Sequence, residues 1–272
     1  MKFSMCNEFC EGWPLARVFD LAQTCGYEGV EIAPFTLGKT VDRISAAERS
    51  YIRRSAEARG LKISALHWLL SYPSGLHTNS PDSATRTRTR HYFMQLIRFC
   101  ADLGAARMVI GSPKQRSITP GEDPDVTWQR TVEFYKHVAA VARECGVWLG
   151  FEPLGRWDTD FINSVGEGIC LVQSVNHPHF RLTLDARAMS GEGRPLPEII
   201  REAAPYLVHF HANDPNRREP GSGSLDFVPV LAALNEVKYD GWVSIEVFDF
   251  TPGPETIARE GIEYLRRCLE RS

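Results

Sequence analysis

The chain has no apolar run approaching the roughly 18 residues that a bilayer-spanning helix requires. Its first stretch, Met1 to Trp13, carries Asn7, Glu8 and Glu11 where a secretory leader needs an apolar segment, so a cytoplasmic location is expected. Its seven cysteines (Cys6, Cys10, Cys25, Cys100, Cys145, Cys170 and Cys268) contain no C-x-x-C pair, and an odd number does not close a disulfide framework. Cys25, Cys100 and Cys145 fall on the apolar stripes of helices and read as small buried hydrophobes. A basic surplus is also missing. The formal net charge is −3, which argues against a nucleic-acid partner, and Arg86, Arg88 and Arg90 read as a solvated helix start. No glycine fingerprint follows the first strand, which removes the main support for a dinucleotide-binding fold. No linker, charge block or low-complexity segment divides the chain, so a single domain over 1–272 is expected.

What is present is an alternation. Short apolar or β-branched runs predict strands at Lys2–Asn7, Gly29–Pro34, Leu61–Leu69, Ala106–Ser112, Val147–Leu154, Phe180–Arg187, Leu207–Asn213 and Gly241–Phe248. Runs such as Met108-Val109-Ile110 are apolar throughout, as strands covered on both faces by helices should be. Between them lie segments of helical period. Leu15, Val18, Phe19, Ala22 and Cys25 form one stripe, closed by Gly26. Ser45 with Glu48, and Ser164 with Glu167, have capping-box spacing. A last helix is predicted over Glu255 to Leu269. Eight strands each followed by a helix, in a chain of 272 residues, predict a (β/α)₈ TIM barrel.

In such barrels the chemistry sits at the C-terminal ends of strands. Those ends carry Glu152, Asp185, His211 and, in strand eight, Glu246, each after an apolar run. A carboxylate placed there costs several kcal/mol to desolvate unless it is compensated. Four such groups on four consecutive strands converge, and three like charges converging call for a cation. Three carboxylates and one imidazole form a mostly hard donor set, for which Mn²⁺ is the first choice and Mg²⁺ or Co²⁺ also suit. Zinc is less favoured because no cysteine joins the set.

Here the sequence resembles the sugar isomerase/epimerase family of xylose isomerase-like barrels, and within it the ketose 3-epimerases. The most specific segment is His209-Phe210-His211 followed by Asn216-Arg217-Arg218 and Pro220-Gly221-Ser222-Gly223. Phe151-Glu152-Pro153-Leu154, Leu184-Asp185 and Ser244-Ile245-Glu246-Val247 match the family's other ligand positions. The resemblance implies that Glu152 and Glu246 are both metal ligands and an acid/base pair working through an enediolate-like intermediate. It implies that Asp185 and His211 are ligands only, and that Arg217 holds the intermediate or a substrate hydroxyl. The sequence departs from the family twice. Ala188 stands where the ketose 3-epimerases carry a histidine in D-x-x-H, so that clamp is removed or replaced, with Arg187 as the replacement. In Gly155-Arg156-Trp157-Asp158 the family commonly has Asn-Arg, an aromatic and Glu, which makes Asp158 a shortened substrate contact. A larger, oxidised, glycosidic or acidic sugar fits these departures better than a free ketohexose.

Further candidates rest on position. His67 and Trp68 end the third strand and are placed to touch substrate. Lys114 and Arg116 follow the fourth and offer an anion site. Asn7, Glu8 and Glu31 end the first two strands, where one of them would pair with His67 or with substrate. His209, one layer below His211, reads as a partner of the site rather than a ligand. Trp13, Trp68, Trp157 and Phe248 are a possible stacking wall for a sugar face. The partner expected is a small carbohydrate, with no nucleic acid and no membrane, and a homodimer or homotetramer is the expected assembly. The competing reading is a lyase or dehydratase that uses the same site for β-elimination. A more remote one is a multi-zinc abasic-site endonuclease, for which the strand ends show too few histidines.

Overall fold

The computed structural model describes all 272 residues. Eight parallel strands close into a barrel in chain order: β1 (Lys2–Cys6), β2 (Gly29–Ile32), β3 (Lys62–Leu66), β4 (Arg107–Ile110), β5 (Trp148–Phe151), β6 (Phe180–Asp185), β7 (Leu207–Ala212) and β8 (Trp242–Ile245). Closure comes from β8 pairing with β1, with Met5 opposite Ile245. The TIM barrel expected from the alternation is therefore the fold. All four residues of β2 are buried, and its one charged residue, Glu31, is buried with the rest.

An outer ring is made by α1 (Leu15–Cys25), α2 (Ala46–Glu57), α3 (Ser83–Asp102), α4 (Pro124–Glu144), α5 (Val165–Val175), the short α6 (Ala186–Ser190), α7 (Leu196–Ala203), α8 (Val228–Glu236) and α9 (Pro254–Glu270). Both expected capping boxes form, at Ser45/Glu48 on α2 and Ser164/Glu167 on α5. Gly26 ends α1 in the left-handed conformation, φ 80°. All seven cysteines are free, and Cys100 is fully buried as its stripe position implied. Helix α4 packs on the barrel wall through Tyr135, which stacks on Phe180 with ring centroids 4.9 Å apart.

Several strands stop earlier than the apolar runs suggest. β3 ends at Leu66 because Trp68 adopts φ 50°, which no extended strand accommodates. β6 ends at Asp185, whose carboxylate caps α6 by accepting the Ala188 N–H at 2.6 Å. β8 ends at Ile245, so Glu246 lies just beyond the strand rather than in it. In each case the residues that leave the ladder turn to the mouth of the barrel.

Candidate active site

Glu152 follows β5, Asp185 ends β6, His211 lies in β7 and Glu246 follows β8. Their ligand atoms all lie within 4.8 Å of one another, and all four residues are buried. His211 Nδ1 is 2.9 Å from Glu152 Oε1 and 2.9 Å from Glu246 Oε2. Asp185 is fixed on both oxygens, Oδ1 by the Ala188 N–H and Oδ2 by the Asn213 amide at 2.6 Å. The electrostatics are those of charges crowded out of water. Burial, with Glu152 and Glu246 nearby, raises the Asp185 pKa to about 7. Burial also raises Glu152, partly opposed by His211. For His211 burial works against the charged form, yet Glu246, Glu31 and Glu152 outweigh it and lift its pKa well above the usual imidazole value. One hard divalent cation among these donors would relieve all three carboxylates at once, so the residues fit the ion their sequence implied.

Above the cluster opens a cavity of about 170 Å³. Glu152, Glu246, His67, Asp158 and Arg217 bring charge to it, and Trp68, Leu154 and Phe248 bring apolar surface. Such a mix suits a small polyhydroxylated molecule with apolar C–H faces. Arg217 and Trp68 both hold positive φ, 74° and 50°. The Arg217 carbonyl accepts the N–H groups of Phe248 and Asp249 at 2.8 and 3.0 Å, so the loop after β8 maintains that backbone shape.

A protein-family model described as the xylose isomerase-like TIM barrel matches residues 19–268. The chain belongs to this family. It is 31% identical over 172 residues to a D-psicose 3-epimerase of Ruminiclostridium cellulolyticum, covering 62% of this chain and 59% of the relative. With a probable ketose 3-epimerase of Synechocystis it shares 26% identity over 269 residues, 93% of this chain and 90% of that one. Among solved structures, a D-psicose 3-epimerase crystallised with D-fructose superposes with a TM-score of 0.87, at 23% identity over 99% of both chains. The last comparison speaks to the fold alone.

Most of the residues singled out from sequence meet at one place. The four candidate ligands, His67, Trp68, Asp158 and Arg217 all line or underlie the same cavity. Lys114 does not: it is exposed on a short helical turn, Pro113–Gln115, and takes no part in the cavity wall. Arg116, at the end of that turn, swings inward instead. It is 1% exposed, packs 4.4 Å over the Phe151 ring and donates to the Ile110 carbonyl at 3.3 Å. The anion site expected from this pair is not formed, because the turn sends one cation to solvent and the other beneath the strand. The aromatic wall reduces to Trp68 and Phe248, 6.5 Å apart. Trp13 lies instead under Arg17, with the guanidinium 3.4 Å from its ring, and Trp157 is 54% exposed.

Arg187, expected to replace the clamp lost at Ala188, does not line the cavity itself. Its Nη1 holds Asp158 Oδ2 at 2.9 Å, while its guanidinium lies 5.4 Å over Phe248, so it braces a cavity residue. Ala188 is buried and its backbone N–H serves Asp185. His67 pairs with Glu8 at 2.8 Å, so among the early acidic residues Glu8 is its direct partner. The three histidines singled out from the sequence, His67, His209 and His211, gather around the carboxylate of Glu31. Two contributors have no counterpart among the sequence candidates. Asn213 orients Asp185, and Gly111 makes room for Glu152, since a Cβ there would come 2.5 Å from Glu152 Oε2. A glycine directly after the strand-four run was the available signal.

Proposed function

We propose that the protein is a divalent-metal-dependent carbohydrate epimerase of the ketose 3-epimerase type. The observation that carries this reading is the convergence of Glu152 and Glu246, from β5 and β8, on His211 Nδ1 at the floor of a cavity walled by Trp68 and Phe248. Glu152, Asp185, His211 and Glu246 would hold the ion, with Mn²⁺ the first choice for this donor set. When bound, the cation stabilises negative charge that develops on a substrate oxygen beside the breaking C–H bond. Glu152 and Glu246 enter from different strands, so one removes the proton from the carbon next to the carbonyl and the other returns a proton to it. Burial raises Glu152 and so makes it a better proton acceptor than an exposed carboxylate. Arg217 offers a fixed cation at the rim for the oxygen that gains charge. The relatives named above act, by their names, on ketoses, and a keto-sugar is the substrate class this site suits.

A lyase reading of the same site has one supporting observation. Ala188 replaces the family's clamping histidine, and Asp158, an acid in the cavity, is held in place by Arg187. After proton removal the glutamate that took the proton would pass it to a neighbouring hydroxyl, which would leave as water. Incubation of the Mn²⁺-loaded protein with ketoses and 3-keto-sugars in D₂O, followed by NMR, separates the two. Deuterium uptake at carbon without loss of water supports the epimerase, and loss of water or of an aglycone supports the lyase. No exchange with any member of the panel overturns both.

A further inference from the structure

Glu31 lies in β2 within Val30-Glu31-Ile32, and its side chain is fully buried. An ionised carboxylate in such a place costs several kcal/mol unless it is matched, and its ion-pair partners are all imidazoles. His209 Nε2 sits 2.7 Å from Oε2, His211 Nε2 sits 3.2 Å from Oε1, and His67 Nδ1 is 3.6 Å from Oε1. In β7 the register places His209 opposite Thr183 and His211 opposite Asp185. Glu31 therefore reaches from β2 to two successive inward histidines of β7, one at the metal level and one below it.

We infer that Glu31 is a positioning residue: by accepting the Nε2–H of His211 it fixes that ring's tautomer and reserves Nδ1 as a metal ligand. A carboxylate only accepts, and a neutral imidazole has one N–H and one lone pair. With Nε2–H committed to Glu31, Nδ1 is the nitrogen turned toward Glu152 Oε1 and Glu246 Oε2, both at 2.9 Å. Without the ion a proton on Nδ1 bridges these carboxylates, and a cation that takes its place meets a ring already oriented by Glu31. His209 holds the other Glu31 oxygen and prevents the carboxylate from turning away. The inference rests on the reading that Glu152, Asp185, His211 and Glu246 bind a cation.

The rival arrangement is a second metal among Glu31, His209 and His211, or among Cys6, Glu31 and His67, whose ligand atoms also lie within 4.8 Å of one another. Titration calorimetry with Mn²⁺ alone, on wild type, Glu31→Gln and His209→Gln, distinguishes the cases. Wild type should bind one ion per chain. Glu31→Gln, whose amide has one accepting oxygen for two imidazole Nε2–H groups and turns its N–H₂ against one of them, should weaken binding roughly 10- to 100-fold, and His209→Gln less. ¹⁵N NMR of the Mg²⁺-loaded wild type should show His211 protonated at Nε2 and not at Nδ1. Undiminished affinity in a folded Glu31→Gln, an Nδ1-protonated His211 in the loaded protein, or two ions per wild-type chain overturns the inference. Should Glu31→Gln not fold, the wild-type ¹⁵N pattern and stoichiometry decide alone. A wild type that binds no ion overturns the metal reading itself, a distinct outcome.

Discussion

At the scale of single residues, the proposed function divides between groups that would contact substrate and groups that hold them. Glu152→Gln and Glu246→Gln keep the side-chain volume but remove proton acceptance, so C–H exchange in D₂O should fall by about 10³-fold or more in each. Retained exchange in either variant would remove that residue from the proposed pair. Gly111→Ala is a subtler probe. Its new Cβ would lie 2.5 Å from Glu152 Oε2, so the carboxylate must move. Exchange should drop by about 10-fold while the melting temperature changes little, because a small displacement of a reacting group is costly. Metal binding should also depend on pH with a definite sign. Asp185 is raised to about 7 and so carries a proton below that pH which the ion must displace. Affinity for Mn²⁺, measured by titration, should strengthen as pH rises through about 7, where Asp185 ionises, and keep rising while His211, also shifted upward, gives up its proton. Affinity that is flat from pH 5 to 8 would show that Asp185 is already ionised without the metal.

Elements act here chiefly as placement devices. A parallel strand delivers its last residues to the barrel mouth, and the cap of the next helix sets the path of the chain beyond them. Asp185 is both a proposed ligand and the N-cap of α6, which ties the geometry of the carboxylate cluster to the helix start. Ser164 caps α5 through its box with Glu167, and neither residue belongs to the ligand cluster or lines the cavity. Ser164→Ala should therefore cost about 1 kcal/mol of stability and leave exchange unchanged. Thermal unfolding should register it as a fall of about 2 °C. A large loss of exchange instead would mean that the β5–α5 loop, which carries Asp158, depends on that cap.

Across the whole molecule, the barrel mouth is where folding brings like charges together at a cost. Three carboxylates and the buried Glu31 lie there, held against their mutual repulsion by the closed sheet and its core. A ligand that binds only this folded arrangement stabilises it by mass action, about 2.7 kcal/mol at a concentration 100 times its dissociation constant. Mn²⁺ should raise the melting temperature and a chelator should reverse the shift. The same titration on His211→Ala should show almost none of it.

Much of this was legible in the residues themselves. Covered parallel strands need apolar runs, so the barrel was readable from runs such as Met108-Val109-Ile110 and from the capping residues between them. The cluster of Glu152, Asp185, His211 and Glu246 was readable because a charged group directly after an apolar run, at a strand end, costs too much desolvation energy to be there for packing alone. The tertiary structure alone decided which neighbours those groups would meet. Glu31 and His209 are 178 positions apart, and only the closure of the barrel and its register bring them within 2.7 Å. Lys114 and Arg116 are two residues apart, and one tight turn sends the first to solvent and the second under Phe151. Periodicity and composition are local quantities and specify where a side chain sits along its own element. Contacts across the barrel depend on shear and loop conformation, which are settled only when all eight strands are in place.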